Sequence, residues 1–305
     1  MIKAKNNTLK KNGTVFCIVA IAAFSTYALF MTLFLGWGFI NSIKHAIDMM
    51  WNPLKLPTVD PKYPVFGWHF DNYITAYKVL FVEVQHGQGV VENIYATEMF
   101  WNSFSYSFIN SAINLGSILC VSYCCARYRR KTFSKIIYAS VVALMTIPVV
   151  GTMPARVSVF KTLGLFDNYL FFFSQLNFLS GYFLVFYAAF CSCPETYREA
   201  AELDGAGPWT VFLRIMLPLI KTTVLAVFIL TFIAHWKDYG TTMVFWPSRP
   251  TVSLGLYKFQ NSRESSATNP IKLCAAFIVG LPPTILFIIF RDQIMENVSM
   301  GGLKG

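Results

Sequence analysis

From residue 14 to residue 40 the sequence carries no charged side chain. A helix crossing the hydrocarbon core of a bilayer needs about 20 mainly apolar residues, so this run is long enough to span. It is too long for the apolar core of a cleavable signal peptide, about 7–15 residues. After the polar stretch MIKAKNNTLKKNG it reads as a retained spanning helix. Apolar stretches predict five more spans, at 100–126, 136–160, 169–190, 215–236 and 273–290. Composition agrees: 55% of the chain is apolar and only 13% charged, against about 25% charged in soluble domains. The expected fold is an all-α polytopic membrane protein with six transmembrane helices. Residues 1–13 and 293–305 are expected as tails around a transmembrane domain over 14–292.

The net charge of +10 raises nucleic acid as a partner, but membrane topology explains it better. Lys3, Lys5, Lys10 and Lys11 precede the first span. Arg127, Arg129, Arg130, Lys131 and Lys135 lie between the second and third. Arg198, Arg214 and Lys221 lie between the fourth and fifth or at its start. With six spans these segments share one side, which the positive-inside rule makes the cytoplasm, and both termini lie there. The expected partners therefore include membrane lipid and no nucleic acid.

Segment 41–99 is then external. It holds Trp51, Tyr63, Trp68, Tyr73 and Tyr77. Such residues suit an aromatic interface belt or a docking face for an external partner, and 70–81 reads as an amphipathic helix. Pro148 and Pro154 in the third span, and Pro282 and Pro283 in the sixth, mark packing kinks or bends that line a pathway. The seven cysteines sit in or beside apolar runs and read as packing residues. His45, His69, His86 and His235 form no ligand spacing, so neither metal nor catalysis is expected.

The stretch 194–214 carries the most chemistry. Pro194 opens a short helix, with Glu195 and Glu199 where the helix dipole favours acids. Ala200 and Ala201 allow a partner to approach closely, and the acids offer ionic contacts. Asp204-Gly205 ends the helix through a positive-φ glycine, and Gly207-Pro208 starts the next. A small helix–turn–helix knob follows from these signals.

Glu199-Ala200-Ala201, three residues, Gly205, nine residues, then Ile215-x-Leu217-Pro218 resembles the EAA loop of ABC importer permeases. The resemblance implies a coupling helix inserted into a cleft of a separate ATPase subunit. Asn102-Ser103, Ala126-Arg127, Gly164-Leu165 and the tail Gly301-Gly302-Leu303-Lys304-Gly305 are similar to carbohydrate importer permeases, nearest the maltose-type second permease. The similarity runs from about residue 70 to the end, and loop 41–69 stays unassigned. It implies four kinds of partner: a homologous second permease, two ATPase subunits, an extracellular solute-binding protein, and a sugar or oligosaccharide substrate. No G-x-x-x-x-G-K-[ST] loop occurs in the chain. The chain is thus expected not to be an enzyme, with ATP and Mg held by the ATPase partners in a bacterial or archaeal cell membrane.

His235-Trp236-Lys237-Asp238-Tyr239 resembles the family's W-N-[DE]-[FY] segment, with Lys237 replacing the usual Asn. Lys237 and Asp238 either bind sugar hydroxyls, or an acidic sugar in the case of Lys237, or sit solvated at the interface. Gln175 and Asn177 are further polar candidates for the pathway, or they bond between helices. The alternative function is a stand-alone secondary transporter or channel. That reading needs acids within the spans and internal repeats.

Overall fold

The computed structural model describes residues 2–57, 59, 62–63, 65–86, 90–147, 151–177 and 180–300. In chain order the helices begin with α1 (Ile2–Ser42), α2 (Ala46–Trp51) and α3 (Asp71–Val79). Two strands follow, β1 (Phe81–His86) and β2 (Val90–Tyr95), and then α4 (Ala96–Arg127), α5 (Thr132–Thr146) and α6 (Met153–Thr162). A 3-10 turn over Tyr169–Gln175 precedes α7 (Gly181–Ser192), α8 (Glu195–Leu203) and α9 (Pro208–Val211). A π turn over Phe212–Met216 leads to α10 (Leu217–Leu219) and α11 (Lys221–Trp236). The chain closes with α12 (Tyr239–Phe245), α13 (Val252–Gln260) and α14 (Asn269–Met300).

The fold is mainly helical, but the expectation of an all-α chain needs correction. β1 and β2 form an antiparallel hairpin with Phe81 opposite Tyr95 and Val82 opposite Ile94. The cause is period-2 patterning: Val82, Val84 and Ile94 are buried while Glu83, Gln85 and Asn93 face out. The helix expected over 70–81 ends at Val79 because this alternation takes over.

Among the described residues, three helical stretches are long and apolar enough to cross a membrane: Val15–Ser42, Ala96–Arg127 and Asn269–Met295. Pro282 and Pro283 lie inside α14 without ending it. The expected fifth span is a bent pair, Pro208–Leu219 and Lys221–Trp236, turning by 81° at Ile220. In place of continuous third and fourth spans stand α5 with α6, and the 3-10 turn with α7. Pro148 and the tail Gly301–Gly305 lie outside the described residues.

Contacts divide the chain into two units. One comprises Met1–Val79 and Ser262–Ile278. In it, polar bonds tie segment 41–79 to the end of α1. Asn41 Nδ2 donates to the Pro53 carbonyl (2.9 Å), and Asn72 Nδ2 donates to the carbonyls of Ser42 (2.8 Å) and Lys44 (2.9 Å). Lys44 Nζ donates to the Asn52 carbonyl at 2.7 Å. Burial lowers the pKa of this ammonium, and Asp48 opposes that shift. Trp51, Tyr63 and Phe66 pack edge-on and stacked at 5.2–6.1 Å. The aromatic content of this segment therefore goes partly into its own small core.

The second unit comprises Leu80–Asn261 and Val279–Gly305. Its centre is α4, which packs on α7, α11, α13 and the hairpin. One apolar cluster gathers Leu115, Ile118, Tyr123, Phe186, Phe190, Ala201 and Phe212. A second gathers Tyr106, Phe160, Phe171, Phe172, Phe245 and Trp246. Tyr106 and Arg127 are separated along α4 by roughly 30 Å at 1.5 Å per residue, about one hydrocarbon thickness.

Candidate functional site

The knob forms where its signals place it. Pro194 directly precedes α8, and Glu195 lies in the first turn. At the other end Gly205 takes φ +81°. Its N–H donates to the Glu202 carbonyl (3.1 Å), and the Ala206 N–H donates to the Ala201 carbonyl (2.9 Å). This is a Schellman ending, which satisfies two orphan carbonyls and needs a left-handed residue. Gly207 then caps α9, with Pro208 as its first residue. Ile215 falls in the π turn, and Leu217 with Pro218 in α10.

The two faces of α8 differ, and the spacing did not reveal how. Ala201 is buried at 8% exposure within the first apolar cluster, whereas Ala200 is exposed. The acids Glu195, Glu199 and Glu202 are exposed but paired with arginines. Arg127 donates to Glu202 at 2.9 Å and Arg129 to Glu195 at 3.0 Å. Arg198 lies 3.3 Å from Glu202, 3.8 Å from Glu199 and 3.9 Å from Glu195. Each pair alone is worth little at such exposure. The Arg198 pairs lie within α8, and the Arg127 and Arg129 pairs are the ones that tie α8 to the end of α4 and the turn after it.

Asp204 is exposed at the cap, and so are Tyr197, Trp209 and above all Leu203, at 89% exposure. A cleft of about 190 Å³ is lined by Tyr128, Pro208, Trp209 and Phe212 among others. Cys193 donates its thiol to the Ala189 carbonyl at 3.4 Å, and burial raises its pKa, as suits a packing residue.

The other expected site residues separate into unlike roles. Trp236 is buried, and its Nε1 donates to the Val279 carbonyl at 3.1 Å. Lys237 is exposed at the end of α11. Asp238 caps α12: its Oδ1 accepts from the Thr241 N–H (3.0 Å) and its Oδ2 from the Tyr106 hydroxyl (3.3 Å). Tyr239 stacks on Tyr257 with centroids 4.4 Å apart. Asn177 is exposed. Gln175 ends the 3-10 turn, and its side chain lies outside what the structure describes. Lys237 is thus exposed, while Asp238 holds α12 on α4.

Residues 118–299 match the model of the binding-protein-dependent transport system inner membrane component family. The chain belongs to that family. The matched stretch includes the whole knob and the segment from Trp236 to Tyr239. Among curated relatives, this permease is 25% identical to the sulfoquinovosyl glycerol transport system permease protein SmoH of Agrobacterium fabrum, over 67% of this chain and 72% of that one. It is 25% identical to the galactooligosaccharides transport system permease protein GanQ of Bacillus subtilis, over 83% and 85%. Among solved structures, a chain of a bacterial ABC transporter involved in the import of the acidic polysaccharide alginate superposes with a TM-score of 0.68. That match is 20% identical and covers 92% of this permease and 96% of the other chain. It establishes the permease fold.

Proposed function

We propose that this permease is a transmembrane subunit of an ATP-driven ABC importer that moves a sugar or oligosaccharide into the cell. The knob carries the reading. It presents the full Glu199-to-Pro218 spacing on a hairpin whose inner face is ion-paired to α4 and whose outer face exposes Leu203, Trp209 and Tyr197. Apolar surface of this kind is stabilised by burial against a partner, about 1.5–3 kcal/mol for a Leu. The occupant is one of two ATPase subunits, which hold the ATP and Mg. A homologous second permease supplies the other half of the pathway, and an extracellular solute-binding protein delivers the substrate. The names of the curated relatives support a sugar as that substrate.

In this reading the chain crosses the bilayer six times, at α1, α4, α5 with α6, the 3-10 turn with α7, the bent pair ending in α11, and α14. The knob and both termini face the cytoplasm, in keeping with the basic residues beside it. Closure of the ATPases moves α8, and the Arg127–Glu202 pair passes the movement to α4 and so to the far end of the pathway. The test is uptake by the assembled transporter. Gly205→Asp and Glu199→Lys should abolish uptake and substrate-stimulated ATP hydrolysis with insertion intact. Unchanged uptake would count against the proposal.

A further inference from the structure

At the end of α4 remote from the knob, two arginines lie over aromatic rings. The Arg156 guanidinium is 5.6 Å from the Phe160 ring centre and 5.1 Å from that of Phe245. The Arg249 guanidinium is 4.2 Å from Tyr169 and 5.8 Å from Trp246. The rings form one platform: Phe160 to Phe245 at 4.8 Å, Tyr169 to Trp246 at 6.0 Å, and Trp246 to Tyr106 at 5.9 Å. Both arginines are half-buried. Among the described residues no ion pair joins either of them to a carboxylate.

Asp167 and Asp238 are already committed. Asp167 Oδ1 accepts from the Ser248 N–H (3.2 Å) and hydroxyl (2.7 Å), which holds the loop that carries Arg249. Asp238 caps α12 and accepts from Tyr106. The Trp246 Nε1–H, beneath Arg249, is buried with no acceptor among the described residues.

Stacking fixes the plane of a guanidinium and leaves its N–H edge to bind a carboxylate through two parallel bonds. Cations at the non-cytoplasmic end also run against the usual charge distribution of membrane proteins, which marks them as functional. We propose that Arg156 and Arg249, on this aromatic platform, select an oligosaccharide bearing carboxylates. The buried rings hold the guanidiniums in place, the exposed Tyr169 is the ring open to a sugar, and the guanidiniums serve the acid groups. The inference rests on the importer reading above and adds the substrate's charge.

The test uses the assembled transporter in nanodiscs of phosphatidylcholine alone, so that no anionic lipid competes. The probes are a galacturonate tetrasaccharide and its methyl ester, with direct binding as the readout. The acid should bind about tenfold tighter than the ester. Arg156→Gln and Arg249→Gln should each remove most of that preference, and Arg156→Lys and Arg249→Lys should keep part of it. Absence of a preference, or one unaffected by the Gln variants, overturns the inference. So does a result in which those variants change only the binding of added phosphatidylglycerol, which would assign the arginines to lipid. ATP-driven uptake of neutral sugars with no acid preference leaves the importer reading standing and overturns this inference alone. A complex that imports no sugar overturns both.

Discussion

Arg127, in the last turn of α4, holds Glu202 of α8 at 2.9 Å across 75 residues of sequence. The pair joins the central helix of the second unit to the knob that carries the permease motif. Their side chains are 18% and 35% exposed. Such a pair contributes about 0.5–1 kcal/mol, and its orienting effect matters more than its stability.

Arg127→Ala and Glu202→Ala should each reduce substrate-stimulated ATP hydrolysis several-fold, and the double variant should be no worse than either alone. A double-mutant cycle on the assembled complex checks this. Fully additive losses would place the two residues in separate roles.

Gly205 adopts φ +81° with open space around its Cα. The cost of a side chain there is conformational rather than steric. Gly205→Ala should destabilise the knob by about 1 kcal/mol and Gly205→Asn by less, since Asn tolerates the left-handed region. Thermal unfolding of the chain in detergent, with the two variants side by side, measures the difference.

Asp238 acts as a helix cap tied to Tyr106. Asp238→Ala should therefore lower stability by about 1 kcal/mol, whereas Asp238→Asn should stay within a few tenths, because an amide oxygen also caps. Unfolding midpoints of the two variants decide. A large loss in uptake for Asp238→Asn at wild-type stability would instead make the carboxylate a substrate contact.

Trp236 donates a buried hydrogen bond to Val279 while stacking on Phe232 at 6.0 Å. Trp236→Phe keeps most of the apolar contact and orphans the carbonyl, so about 1 kcal/mol of stability should be lost. The same unfolding assay reads it. A neutral outcome would mean that the bond adds nothing beyond packing.

Much of this was legible in the sequence where a local rule governs the outcome. Charge-free length marked α1, α4 and α14, and Pro194, Asp204-Gly205 and Gly207-Pro208 marked both ends of the knob's first helix and the start of its second. What was not legible depends on tertiary packing. Nothing local says that Ala201 turns inward while Ala200 turns out, because α4 chooses the buried face. Apolar continuity over 215–236 conceals the 81° turn at Ile220. The hairpin was not legible because the alternation Val82-Glu83-Val84-Gln85 is only four residues long and its pairing with residues 91–94 is a tertiary choice. Asp238 itself is a favoured N-cap residue, but the resemblance to a pathway motif gave it another reading.

The claim that the exposed face of the knob receives an ATPase is tested most directly at Leu203. It is 89% exposed and outside the ion-paired face, so Leu203→Asp should leave folding and insertion of the permease unchanged. Co-purification of the ATPase subunits with the membrane-inserted permease is the measurement. Retention should fall at least tenfold in Leu203→Asp, together with substrate-stimulated ATP hydrolysis. Full retention of the ATPases by that variant would contradict docking through this face.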